Sequence, residues 1–172
     1  MPLLCPLENL RDNHELVICD SEPSRLAHKE LFRFNDEAYI IADEAANAFG
    51  AIADVVNSCN SEAARRPSKI HLVLGWENLL KASLWKAAKP TAGDAFTVLK
   101  NTGISTQDFQ PFKTADINDL FPWLYYGKRF DILRKVCHTT KKQVEGRLKD
   151  HSIRVDCHLI AEDTKRIVAS SL

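Results

Sequence analysis

Between Lys128 and Lys149 the chain carries Lys128, Arg129, Arg134, Lys135, Lys141, Lys142, Arg147 and Lys149 against only Asp131 and Glu145. Directly ahead of this basic segment lies Pro122-Trp123-Leu124-Tyr125-Tyr126-Gly127. Ammonium and guanidinium groups neutralise phosphates, and rings such as Trp123 and Tyr126 stack on unpaired bases; together these contacts grip a single strand. A basic amphipathic helix can equally dock on an acidic protein surface. The partner expected for these ten residues is therefore RNA or an acidic protein surface. A solvated basic face with core aromatics behind it leaves the same pattern, because ordinary helix surfaces are charged.

Histidine recurs in an Arg-x-x-x-His spacing, as Arg134/His138, Arg147/His151 and Arg154/His158. On a helix each pair stands one turn apart on one face. There the imidazole could move a proton while the guanidinium stabilises charge on a phosphate. That chemistry is metal-independent RNA cleavage, the alternative function. The spacing is short and frequent by chance, so the favoured reading is a non-catalytic binding, adaptor or regulatory protein with no catalytic residues.

Cys137-His138 and Cys157-His158 are the obvious sulfur and imidazole ligands for zinc. Neighbours on a helix diverge by about 100°, and structural zinc sites space their ligands by about two to five residues. Neither a metal site nor a cofactor is expected. No phosphate loop, dinucleotide glycine fingerprint, His-Glu-x-x-His or nucleophile elbow occurs.

The elements that must position these groups read as helices. Ala38, Ile41, Ala45, Phe49, Ile52 and Val56 recur at spacings of three and four, which predicts a helix over 36–57 with Ile41, Ala45, Phe49 and Ile52 buried. Asp36 is its candidate cap. Ser21 followed by Glu22-Pro23 marks an earlier helix start. Val73, Trp76, Leu80, Leu84 and Ala87 predict a helix over 69–89, stopped by Pro90. The run Ile70–Leu74 offers a rival, a strand turning at Gly75 into a shorter helix. A short helix is expected over 92–99 and a polar linker over 105–111.

Asn118 or Asp119 caps a further helix that carries Pro122 and crosses, or restarts after, Gly127 towards Lys149. Phe130, Leu133, Cys137, Val144 and Leu148 form its apolar stripe. At the end of the chain Ile153, Val155, Cys157, Leu159 and Ala161 alternate as in a strand, yet Ile153, Cys157, Ile160, Thr164 and Ile167 fit helical spacing. The polar stretch 162–166 tips the reading to helix. The expected fold is mainly α, a helical bundle of about five to seven helices. Any strands would be confined to 16–19, 70–74 or 153–159, and a small α+β domain is the alternative.

At 172 residues the chain suits one domain spanning 1–172. It would bury roughly 70% of the surface that its unfolded form exposes. Residues 1–60 hold eleven acids and four bases, so the acidic first third stands at −7 and the basic remainder at +7. Such segregation suits an acidic partner, or head-to-tail contact in a homodimer, and equally suits two halves that neutralise each other. No apolar run approaches a membrane span, and no signal peptide is evident. Five cysteines without a C-x-x-C pair suggest reduced, buried thiols and a cytoplasmic location.

Overall fold

The computed structural model describes residues 14–42, 48–61, 66–105, 107 and 116–172. Its centre is a five-stranded sheet built from β1 (Glu15–Cys19), β2 (Tyr39–Ile41), β3 (Lys69–Leu74), β4 (Arg154–Ala161) and β5 (Arg166–Ser170). The strand order is β2-β1-β3-β4-β5, with the first four parallel and β5 antiparallel to β4. Six helices accompany it: α1 (Glu22–Phe32), α2 (Ala48–Cys59), α3 (Trp76–Leu84), α4 (Ala92–Lys100), α5 (Ile117–Tyr126) and α6 (Phe130–Glu145).

Handedness decides which face each helix covers. The chain steps from β1 outward to β2, then reverses across β1 to β3 and continues to β4. Right-handed crossovers in opposite directions place their helices on opposite faces. The main core accordingly joins Leu16, Ile18, Ile70, Leu72, Leu74, Val155, Cys157 and Leu159 to helices α2 to α6. The opposite face carries Val17, Cys19 and Val73 with Phe34 and Tyr39 packed on them, and α1 lies over it.

An α/β fold replaces the expected helical bundle. β3 is buried on both faces, so it reads as a continuous apolar run that a helix start imitates. The rival reading of that stretch, a strand turning at Gly75 into a shorter helix, is the one that forms. Segment 36–57 is not one helix. It opens with a 3-10 turn at Asp36–Ala38 and enters β2, and α2 then spans Ala48–Cys59. Phe49 and Ile52 are buried as expected, Ile41 on the edge strand is 40% exposed, and Ala45 lies outside the described residues.

The C-terminal segment is a β-hairpin rather than a helix. Its alternation was the true signal, and the polar stretch that argued for helix is the turn between β4 and β5, where Lys165 takes the left-handed conformation at φ 53°. Strands therefore extend beyond the three expected windows to β2 and β5.

Other boundaries follow the local chemistry. Ser21 caps α1 by accepting from the Ser24 amide at 3.3 Å, and Pro23 sits in the first turn. Thr91 and Asp94 form a reciprocal capping box on α4. Asp116, rather than Asn118 or Asp119, caps α5, and the chain restarts as α6 after Gly127. Most of the linker expected over 105–111 lies outside the described residues. Cys19, Cys137 and Cys157 are free thiols and buried, Cys59 is buried, and Cys5 lies outside the described residues. Among the described residues, no helix is long and apolar enough to cross a membrane.

Candidate functional site

The face covered by α1 holds three histidines from three elements. His28 comes from α1, His71 from β3 and His158 from β4, and all three are buried. Because His71 pairs with Asp156 and Val73 with His158, the two strand histidines are diagonal neighbours on one side of the sheet. Their rings stack at 5.9 Å, and the His28 ring meets them edge-on at 5.3 and 5.4 Å. One ring nitrogen from each lies within 4.8 Å of the other two. Phe32 stacks on His28 at 4.5 Å and Phe34 stands edge-on to His71 at 5.3 Å, walling the cluster with hydrocarbon.

Hydroxyl groups fix two of the rings. His28 Nδ1 shares a 2.8 Å hydrogen bond with Tyr39 Oη, and His158 Nδ1 shares a 2.7 Å hydrogen bond with Ser170 Oγ. Nε2 of each is buried without a hydrogen-bond partner among the described residues. His71 Nε2 stands 3.5 Å from the half-exposed Glu15 carboxylate, and its Nδ1 stands 4.0 Å from Asp156, which is itself paired with Lys69 at 2.5 Å. An unmade buried hydrogen bond costs about 1–3 kcal/mol, so several at one place mark a site with an outstanding requirement. Burial and the neighbouring rings push His28 down to about 3; burial first and His71 second push His158 down to about 4, so both rings are neutral at pH 7. Burial also lowers His71, opposed by the carboxylates of Glu15 and Asp156.

A second constellation lies where the chain reverses direction between β1 and β3, the crevice in which doubly wound sheets bind ligands. Asp20 Oδ2 accepts from the Gly75 amide at 2.6 Å and from Asn78 Nδ2 at 3.0 Å. Its Oδ1 accepts from Ser24 Oγ at 2.6 Å and Ser21 Oγ at 3.3 Å. A Cβ at position 75 would stand 3.3 Å from Asp20 Oδ2, a tight contact that the carboxylate would have to ease. With four donors this carboxylate is saturated by its own chain and works as a clasp across the crevice.

The basic segment divides. Lys128 and Arg129 lie exposed in the turn before α6, and Phe130, Arg134, His138 and Lys142 follow at helical spacing along its solvent face, with Lys135 beside them. Tyr126 is 70% exposed and Phe130 38% exposed at the same corner. Arg129 pairs with Asp131, Lys135 Nζ donates to the Thr102 carbonyl, and Tyr126 Oη donates to Asp163 at 3.1 Å. Three of the ten residues are engaged away from the stripe. Lys141 faces Glu145 and Asp156 at 3.6 and 3.8 Å, the Arg147 guanidinium lies 4.6 Å above the Trp85 ring, and Trp123 packs against the main core. Lys149 is exposed, away from the stripe, and its amide donates to Asn60.

Of the Arg/His pairs, only Arg134/His138 shares a helix face. Arg147 and His151 sit in turns. Arg154 and His158 lie four residues apart on β4, a separation of about 13 Å along an extended chain. An open cleft at the start of β4 instead gathers His151, Arg154, Lys141, Glu145 and Ile153. Cys137 and Cys157 are buried in the main core. Comparison with protein-family models, curated proteins and solved structures gives no match for this chain.

Proposed function

We propose that this is a non-catalytic binding protein of the cytosol that engages single-stranded RNA along the solvent face of α6. The observation that supports it best is the exposed corner between α5 and α6. There the rings of Tyr126 and Phe130 flank Lys128 and Arg129, and Arg134, Lys135 and Lys142 continue the line. Rings that face water beside cations are what a sequence-tolerant strand groove requires. From Phe130 to Lys142 the helix rises about 18 Å. Free, buried thiols accord with a reducing compartment.

If Lys128, Arg134, Lys135 and Lys142 each meet a phosphate, the log–log dependence of affinity on salt has a slope of about −3. Arg134→Glu with Lys142→Glu should flatten that slope and weaken binding to all sequences alike. Tyr126→Ala should weaken binding with the slope unchanged, because stacking releases no counterion. Fluorescence anisotropy with labelled oligonucleotides from low to high salt reads both. No binding at low salt ends the RNA reading. An acidic protein partner lost with the same charge reversal would then take its place.

A second reading, phosphodiester cleavage, draws on the cleft at the start of β4. His151 and Glu145 there supply proton-transfer groups, and Lys141 and Arg154 supply cations for a phosphate. Its mark is a cleavage rate lost in His151→Ala while affinity persists. An absence of turnover in the unaltered protein removes it.

A further inference from the structure

We propose that His28, His71 and His158 are the ligands of a divalent transition-metal site, with zinc the fitting occupant, buried between α1 and the sheet. The inference is independent of the surface reading above and involves none of the residues of the basic stripe. It stands on geometry. Three imidazoles from one helix and two adjacent strands bring a ring nitrogen each to within 4.8 Å of the others. In a tetrahedral zinc site with Zn–N bonds of about 2.0–2.1 Å, ligand nitrogens stand about 3.4 Å apart. Binding would therefore require the three rings to converge further on the ion.

The arrangement around the rings is that of a ligand shell. Metal-bound histidines use one nitrogen on the ion and hold the other in a hydrogen bond that sets the tautomer. His28 and His158 have this pattern, their Nδ1 atoms held by Tyr39 Oη and Ser170 Oγ and their Nε2 atoms without a partner among the described residues. Packing alone gives no reason to bury three polar rings here, since Phe32 and Phe34 beside them show that hydrocarbon fills the same layer. An ion would satisfy the outstanding nitrogens together, whereas hydrogen bonds to Phe walls are not available.

Donor chemistry selects the class of ion. Neutral imidazoles suit zinc, cobalt, nickel and copper, while magnesium and calcium require oxygen ligands. Three protein ligands leave a fourth coordination position. Glu15, next to His71 and with its side chain 40% exposed, links the cluster to the solvent-facing edge of the sheet. Because α1 supplies one ligand and the sheet supplies two, an ion would staple α1 to the face it covers, and binding would add to stability.

The full chain, stripped of metal with chelator, is titrated with zinc by calorimetry, with cobalt by visible absorption, and with magnesium as control. Expected are one equivalent of zinc at submicromolar affinity, cobalt bands of the intensity of a low-coordinate site, a melting temperature raised by zinc, and no response to magnesium. His28→Phe and His158→Phe each should lower zinc affinity about 100-fold or more. Tyr39→Phe and Ser170→Ala keep all three ligands and should lower it about 10- to 100-fold by loosening the rings. They decide the question if a histidine variant fails to fold. His138→Ala with His151→Ala, both on the surface, should leave zinc affinity unchanged. The proposal is overturned if the folded chain takes up no zinc at micromolar concentration. It is equally overturned if uptake survives in folded His28→Phe, survives unchanged in both Tyr39→Phe and Ser170→Ala, or is lost with His138 and His151.

Discussion

Asp20 shows how much a single carboxylate can organise when four donors converge on it. It sits at the first position after β1 and receives the Gly75 amide and Asn78 from beyond β3, and Ser21 and Ser24 from the start of α1. Asp20→Ala would leave the half-buried donors unpaired, so it should cost about 2–4 kcal/mol in urea unfolding. A loss within about 0.5 kcal/mol would show that water replaces the carboxylate freely. Phe49 offers a contrasting case, a buried ring meeting Trp85 edge-on at 4.9 Å. Phe49→Ala should cost about 3–5 kcal/mol by the same measurement, as a core truncation. Phe49 was legible in the sequence because helical spacing alone marks it. Asp20 was not, since its partners lie 55 and 58 positions downstream. The histidine cluster is hidden for the same reason. Its members come from three elements, so local spacing picks out His158 alone among them, in Arg154/His158 and Cys157-His158, beside His138 and His151, which the fold leaves on the surface.

At the scale of elements, the helices with amphipathic stripes and caps were readable and the sheet was not. α1 announces itself by Ser21 and Pro23, and α4 by its apolar spacing after Thr91. β3 and β4 carry strand signals that are ambiguous by themselves: Ile70–Leu74, buried on both faces, lacks alternation, and the alternation of β4 overlaps a helical spacing. β2 is three residues long, too short for any period to register. Among the described residues the sheet is covered unequally, by α2 to α6 on one face and by α1 on the other. α1 also leaves Leu26 and Leu31 exposed on its outer side. An element held by one layer of contacts opens at lower free energy than a central strand. Amide hydrogen exchange of the metal-free protein should therefore find α1 less protected than Ile70–Leu74. Equal protection would mean that α1 unfolds only with the whole sheet. Zinc, if bound as proposed, should slow exchange in α1 selectively.

For the molecule as a whole, the three buried histidines couple folding to pH in a direction that can be worked out. In the unfolded chain a histidine titrates near 6.5. In the folded, metal-free protein burial holds His28 to about 3 and His158 to about 4, and lowers His71 despite the pull of Glu15 and Asp156. The groups that face them from the surrounding elements are Tyr39, Ser170, Lys69, Glu15 and Asp156. Between those limits the unfolded state binds protons that the folded state refuses, so stability rises with pH. The contribution is complete above about pH 6.5 and is lost as pH falls towards 4 and then 3. Each histidine adds at most about 1.4 kcal/mol per pH unit to that slope. The lowered carboxyls of Glu22, Asp36, Asp94, Asp131 and Asp150 act with the same sign but at more acid pH, and all are at least partly open to solvent, so they contribute little. Urea unfolding of the stripped protein at pH 7.5, 6.0, 5.0 and 4.5 should show a steady decline below 6.5. The double variant His28→Phe, His158→Phe should show a much shallower one, because its aromatic replacements refuse no protons. A profile as steep in the double variant as in the unaltered chain would place the acid sensitivity elsewhere in the molecule.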